Sequence, residues 1–321
     1  MTEETFSSTG GITIFFRSWQ PEGSKRGVLL IVPGFNSHSG YYTDVAPRLA
    51  APGLSVYAID LRGRGRSDGE RFYVQSFNDY VEDVHGLAAL VRSREPGLPV
   101  YILGHSAGGV VASLYALEHQ ADLAGLICES FAFQVPAPDF ALAVFKGLAH
   151  IAPHAHILRL KNEDFSRDPA VVAKMNADPL IAHETQPTRT LAEMVRADER
   201  LEQGFPQITL PVLILHGTAD KATKPSGSQR FYDRTGSRDK TLKLYEGGFH
   251  VPSTTRSGTR LPATSPRGCR RGCSQGRQQE DQEKRTNLSK KPSLFRFSCS
   301  SALARPPAGP PARPVTRPAT S

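Results

Sequence analysis

Val100-Tyr101-Ile102-Leu103-Gly104-His105-Ser106-Ala107-Gly108-Gly109-Val110-Val111 is the stretch that decides how this chain folds. Its first four residues form an apolar run long enough for a buried strand and too short for a helix. From Gly109 to Gln120, Val110, Leu114 and Leu117 recur at helical spacing and give one apolar face. Between them lies Gly104-x-Ser106-x-Gly108. The glycines permit a sharp, crowded strand-to-helix turn that lifts the serine hydroxyl off the strand end, which is the geometry of a nucleophile elbow. A second match, Gly65-Arg66-Ser67-Asp68-Gly69, follows Asp60-Leu61-Arg62-Gly63-Arg64 and precedes no apolar helix, so Ser67 reads as a surface-turn residue.

Around the elbow, strand and helix patterns alternate. Ile12–Trp19 reads as an edge strand, Gly27–Val32 as a strand before the loop Pro33–Gly40, and Tyr41–Ala50 as a helix. Leu54–Ile59 is a strand, Ser76–Ser93 a helix with Val81, Val84, Leu87, Leu90 and Val91 on one face, and Leu123–Cys128 a strand. This alternation predicts an α/β fold: a mostly parallel central sheet with helices on both faces. Residues 131–205 break the rhythm. They carry short helical patterns and no convincing strand, and they read as a helical cap inserted over the site. Phe131, Phe133 and Phe140 at its start are candidates to line an apolar acyl-binding cavity. The alternation resumes with strand Val212–Leu215, helix Pro225–Thr235 and strand Thr241–Tyr245. The organisation is therefore core 1–130, cap 131–205, core 206–250, and a tail 251–321.

The 321 residues are 39% hydrophobic and 8% aromatic, a globular composition. No apolar run reaches membrane-spanning length, and Met1-Thr2-Glu3-Glu4-Thr5 has no basic or apolar leader pattern, so the expected location is cytoplasmic. The net charge of +8 is unevenly placed. Residues 251–321 hold 11 Arg and 3 Lys against 2 Glu and 1 Asp, which leaves residues 1–250 at −3. The tail also holds 10 of the 25 prolines and 17 Ser or Thr, with no hydrophobic periodicity, and disorder is expected there. No basic–aromatic alternation points to nucleic acid. Cys128 lies in an apolar run, where a buried thiol is expected. Cys269 and Cys273 have no second Cys or His pair to make a zinc site. No metal and no cofactor are expected.

An elbow serine needs a base and an orienting carboxylate, in the chain order Ser, Asp or Glu, His. Asp220 follows strand Val212–Leu215 on a loop at the end where α/β sites are built. His250 is the one histidine beyond it. The expected set is Ser106 as nucleophile, His250 as base and Asp220 as orienter, with Glu129 as the reserve acid. Oxyanion donors are expected from the backbone N–H of Ala107 and of Phe35. His105 is expected to support the elbow, and His216 is given no chemistry.

Together these residues resemble the monoacylglycerol lipase group of α/β-hydrolases, close to serine-aminopeptidase-like hydrolases and bacterial lysophospholipases. The resemblance runs over about residues 10–250. It is carried by Asp60-Leu61-Arg62-Gly63-Arg64-Gly65-Arg66-Ser67, by Gly104–Gly109, by Phe165-Ser166-Arg167-Asp168 with Asp178-Pro179-Leu180, and by Asp239–Gly247. It implies an α/β-hydrolase fold and hydrolysis of a carboxylic ester, foremost a monoacylglycerol or similar single-chain lipid, with a lysophospholipid or an amide as alternatives. The cap is a candidate for transient contact with a membrane surface. Two stretches depart from the group. Val32-Pro33-Gly34-Phe35-Asn36 stands where most members have His-Gly-x-Gly; the oxyanion amide can survive that change, but the group's head-group selection does not carry over. Members also continue past the catalytic His with a loop like Asp-Leu-Leu-Asn-Asp and a final helix. Here Val251-Pro252-Ser253-Thr254-Thr255 follows, and in a neighbouring frame it can spell Ala-Leu-Asn-Asp. A frameshift near His250 is expected, with a divergent tail as the alternative. Loss of that helix would leave a marginally stable protein that is weakly active or inactive.

Overall fold

The computed structural model describes residues 1–134 and 139–250, with the backbone alone at 139–143 and 145. The readings of residues 251–321 therefore lie outside the described residues, as does the side chain of Phe140. In chain order the elements are β1 (Thr2–Ser7), β2 (Thr13–Trp19), β3 (Gly27–Val32), α1 (Ala46–Ala50), β4 (Leu54–Ile59), α2 (Phe77–Arg94), β5 (Val100–His105), α3 (Ala107–His119) and β6 (Gly125–Glu129). The insert follows with α4 (Asp139–Ile151), β7 (His156–Arg159), α5 (Pro169–Ala177), β8 (Thr185–Pro187) and α6 (Thr188–Gly204). The chain returns to the sheet with β9 (Val212–Gly217), α7 (Pro225–Arg234) and β10 (Lys240–Tyr245).

The main sheet has the order β1-β2-β4-β3-β5-β6-β9-β10. Strands β4, β3, β5, β6, β9 and β10 pair in parallel, and β2 pairs antiparallel with both β1 and β4. The expected edge strand β2 is thus an inner one. The polar, alternating Thr2–Ser7 covers it, a segment whose five polar residues masked its pairing. Period-two burial on both faces explains the unbroken apolar runs. Val28, Leu30 and Val32 of β3 join the large core under α2, α3 and α6, while Leu29 and Ile31 face the smaller cluster under α1. On that second face Tyr101, Leu103, Ile127, Leu213 and Leu215 stay only half-buried. Helix α2 begins with a full capping box, Ser76 accepting from Asn78 N–H and Asp79 from Ser76 N–H.

The insert is not purely helical. Strands β7 and β8 pair antiparallel in a two-stranded sheet of their own. They are four and three residues long. At that length periodicity has nothing to read, and pairing alone defines them. Ser67 is likewise not on the surface. It is buried, its hydroxyl accepting from Phe15 N–H at 2.8 Å and donating to the Asp60 carbonyl at 2.6 Å. Cys128 is buried beside Ser113, and burial pushes its thiol up to about 12. No helix among the described residues is long and apolar enough to cross a membrane.

Candidate active site

Ser106 joins β5 to α3 with φ +55° and ψ −124°, a strained backbone for a residue with a Cβ. Close approach of backbone on all sides enforces it. A Cβ on Gly104 would lie 2.3 Å from the Gly108 carbonyl oxygen, and one on Gly108 would lie 2.1 Å from that of Val32. The Ser106 N–H donates to the Glu129 carbonyl at 2.9 Å, tying the elbow to the neighbouring strand. The loop after β3 presses against the elbow: a Cβ on Gly34 would lie 2.7 Å from Ser106 Cβ. This brings Phe35, Ser106 and Ala107 to one cavity wall. Ala107 is the first residue of α3, so its N–H has no acceptor within the helix.

Asp220 leaves the end of β9. Its Oδ1 accepts the N–H groups of Ala222 and Thr223, both at 2.9 Å. Its Oδ2 accepts from His250 Nδ1 at 2.8 Å and from His216 Nε2 at 3.2 Å, with Thr223 Oγ1 2.9 Å away. Burial alone would raise this carboxyl, but the donors win and hold it far below the ordinary carboxylate range. His250 sits at the end of the loop after β10, which hydrogen bonds strap to the Asp220 loop. Ala219 N–H donates to the Gly248 carbonyl and Thr218 N–H to that of Tyr245, each at 2.9 Å. His105 Nε2 donates to the His250 carbonyl at 3.0 Å. His105, expected to support the elbow, thus ties to the loop that carries His250. His250 is fully buried and Phe165 of the insert stands edge-on to its ring at 4.9 Å. Burial lowers its imidazolium to about 4, although Asp220 pulls the other way. Its Nε2 has no hydrogen-bond partner.

The fold thus brings Ser106, Ala107 and Phe35 to one cavity and Asp220 to His250. Glu129, the reserve acid, lines a second cavity of about 580 Å³ beside Tyr42 and His105. Of the three phenylalanines, Phe133 lines the main cavity. Phe131 does not. It packs in the core against Phe133, Phe205 and Phe231, because a residue following β6 is still inside the sheet layer. His216, which has no chemistry on sequence grounds, continues the buried alternation Val212, Ile214, His216 along β9. Its Nε2–H faces Asp220, so its Nδ1 accepts from Ser228 Oγ at 2.6 Å. The main cavity holds about 1020 Å³ and is lined by Phe35, Phe133, Leu160, Phe165, Leu191 and Met194 among others. Asp198 also lines it, with Oδ1 buried and unpartnered, and burial raises its carboxyl well above the usual range. Among the described residues no group of His, Cys, Asp or Glu could hold a metal ion.

The family model for serine aminopeptidase, S33, matches residues 23–253. A monoacylglycerol lipase of Mycolicibacterium smegmatis is 34% identical over 253 residues, covering 78% of this chain and 90% of that protein. A monoglyceride lipase of Homo sapiens is 34% identical over 244 residues, covering 75% and 80%. Among solved structures, the monoacylglycerol lipase of Paleococcus ferrophilus superposes with a TM-score of 0.67 at 29% identity, over 74% of this chain and 90% of that one.

Proposed function

This chain belongs to the serine aminopeptidase S33 family and is a monoacylglycerol lipase-like carboxylic ester hydrolase, and we propose that it cleaves monoacylglycerols through Ser106, His250 and Asp220. Ser106 Oγ attacks the ester carbonyl carbon while its proton passes to His250 Nε2. Asp220 holds the imidazole with Nδ1–H toward itself and Nε2 free, and it stabilises the imidazolium. The N–H groups of Phe35 and Ala107 receive the oxyanion. The tetrahedral adduct collapses, the ester C–O bond breaks and the glycerol oxygen leaves with the proton from His250. Water then attacks the acyl-enzyme by the same steps and frees the fatty acid and Ser106. No cofactor enters this sequence.

The observation that carries the substrate class is the cavity at Ser106, about 1020 Å³ and walled by apolar side chains together with charged ones, at the top of the range for ligand sites. Segment 131–205 acts as its cap, supplying Leu160, Phe165, Leu191 and Met194. An acyl chain buried there gains about 0.8 kcal/mol per methylene, roughly fourfold in kcat/KM until the cavity is full. The test is a series from acetyl to oleoyl glycerol, with a lysophospholipid and an acyl anilide as competitors. Steep rise with chain length and preference for glycerol esters are expected, and a flat series would refute the acyl-cavity reading. Ser106→Ala should abolish labelling by a fluorophosphonate while Ser67→Ala keeps it. Labelling retained in Ser106→Ala would remove the nucleophile assignment.

A further inference from the structure

The backbone that carries the Phe35 donor is held from far along the chain. Asn36, at φ +50°, donates its N–H to Glu184 Oε2 at 3.1 Å. Its side-chain Nδ2 donates to Asn162 Oδ1 at 3.0 Å, so both contacts reach into the insert. Glu184 lies just before β8, and its other oxygen, Oε1, accepts from Arg64 Nη1 and from Gln186 Nε2. Arg64 comes from the loop after β4. Its Nη2 donates to Gln186 Oε1 at 2.9 Å, and its guanidinium carbon lies 3.7 Å from the centroid of the Phe35 ring. Arg64 is 2% exposed and Glu184 3%. Each carboxylate oxygen is therefore committed, one to the Phe35–Asn36 peptide and the other to the cation stacked on the Phe35 ring. Turning the carboxylate would orphan either a buried charge or a buried N–H.

We propose that Glu184 is a positioning residue for ester hydrolysis: through Asn36 N–H and Arg64 it fixes Phe35, so that the oxyanion site is complete only when the insert is docked. This rests on the reading of Phe35 N–H as an oxyanion donor. The dependence has a chemical logic. A carboxylate offers acceptors on both oxygens, whereas an amide offers one acceptor and one donor. Glu184→Gln keeps the size but must oppose N–H with N–H on one side.

The experiment uses the full chain. Glu184→Gln is compared with Asp178→Asn, which weakens another tie between insert and core, the bond from His38 Nε2–H to Asp178 Oδ2 at 2.9 Å, without touching Asn36. In Glu184→Gln, kcat should fall about 10- to 100-fold with KM changed by less than about threefold, the signature of a donor moved off its target. Inhibition by an alkyl trifluoromethyl ketone, whose serine adduct is a tetrahedral oxyanion, should weaken by the same factor. Asp178→Asn should leave both within about threefold of wild type, whatever it does to the melting temperature. Wild-type kcat in Glu184→Gln overturns the proposal, and so does an equal loss in both variants, which would mean that any loosening of the insert suffices. Gly34→Ala displaces the Phe35 loop without touching Glu184. If that variant is silent, the reading of Phe35 fails. If it is impaired and Glu184→Gln is not, the role of Glu184 alone fails.

Discussion

Gly34→Ala adds one methyl group where the two halves of the site come closest. The new carbon would lie 2.7 Å from Ser106 Cβ, 2.9 Å from the His105 carbonyl oxygen and 3.3 Å from Ser106 Oγ. Non-bonded carbons rest at about 3.5–4.0 Å, so the Phe35 loop must retreat by about 1 Å. The elbow cannot yield instead. Ser106 is already strained, its N–H is tied to Glu129, and β5 lies in the middle of the sheet with β3 and β6 on either side. A retreat of that size carries the Phe35 N–H away from the carbonyl oxygen as it becomes an oxyanion. Misplacement by about 1 Å costs about 100-fold, or about 3 kcal/mol of barrier. Overpacking costs a further 1–3 kcal/mol of stability, roughly. Steady-state kinetics on decanoyl glycerol should show kcat lowered about 100-fold with KM little changed, and thermal melts on the same preparations should show a lower, still cooperative transition. A variant that melts lower yet turns over at the wild-type rate would refute the reasoning. The loop would then have moved without consequence, and Phe35 N–H would not be a donor.

Two further outcomes follow from the same geometry. In the proposed mechanism His250 must be neutral to take the serine proton, and burial holds it to about 4, so kcat/KM should rise with pH through about 4 and stay level above it. An acid limb near 6.5, the ordinary histidine value, would show that water reaches His250 in the working enzyme. His216→Phe keeps the ring but strips one donor from Asp220 Oδ2 and leaves the Ser228 hydroxyl without its acceptor. Stability should drop by about 1–3 kcal/mol in denaturant melts, with kcat/KM falling in parallel, whereas an unchanged midpoint and rate would make that bond irrelevant.

The parallel core, the elbow and the chain order of Ser106, Asp220 and His250, the proposed catalytic set, are legible in the sequence alone. Those features rest on local rules: a four-residue apolar run such as Val100–Leu103 has few ways to be buried, glycines at Gly104 and Gly108 answer a crowding that any strand-to-helix elbow imposes, and β-α alternation fixes which strand ends carry loops. The tertiary structure decided what depends on partners distant in the chain. Thr2–Ser7 becomes a strand because β2 needs a neighbour, and β7 and β8 exist through pairing across the 25 residues between Arg159 and Thr185, not through any pattern of their own. Phe131 and Phe133 stack on each other in the same core, yet of the two only Phe133 also reaches the cavity wall, a distinction that no spacing in the sequence marks. His216 and Glu184 were silent for the same reason. A buried polar side chain takes its meaning from the groups it satisfies, and those groups (Asp220 and Ser228 for one, Arg64 and Asn36 for the other) are brought within hydrogen-bond reach only when the chain has folded.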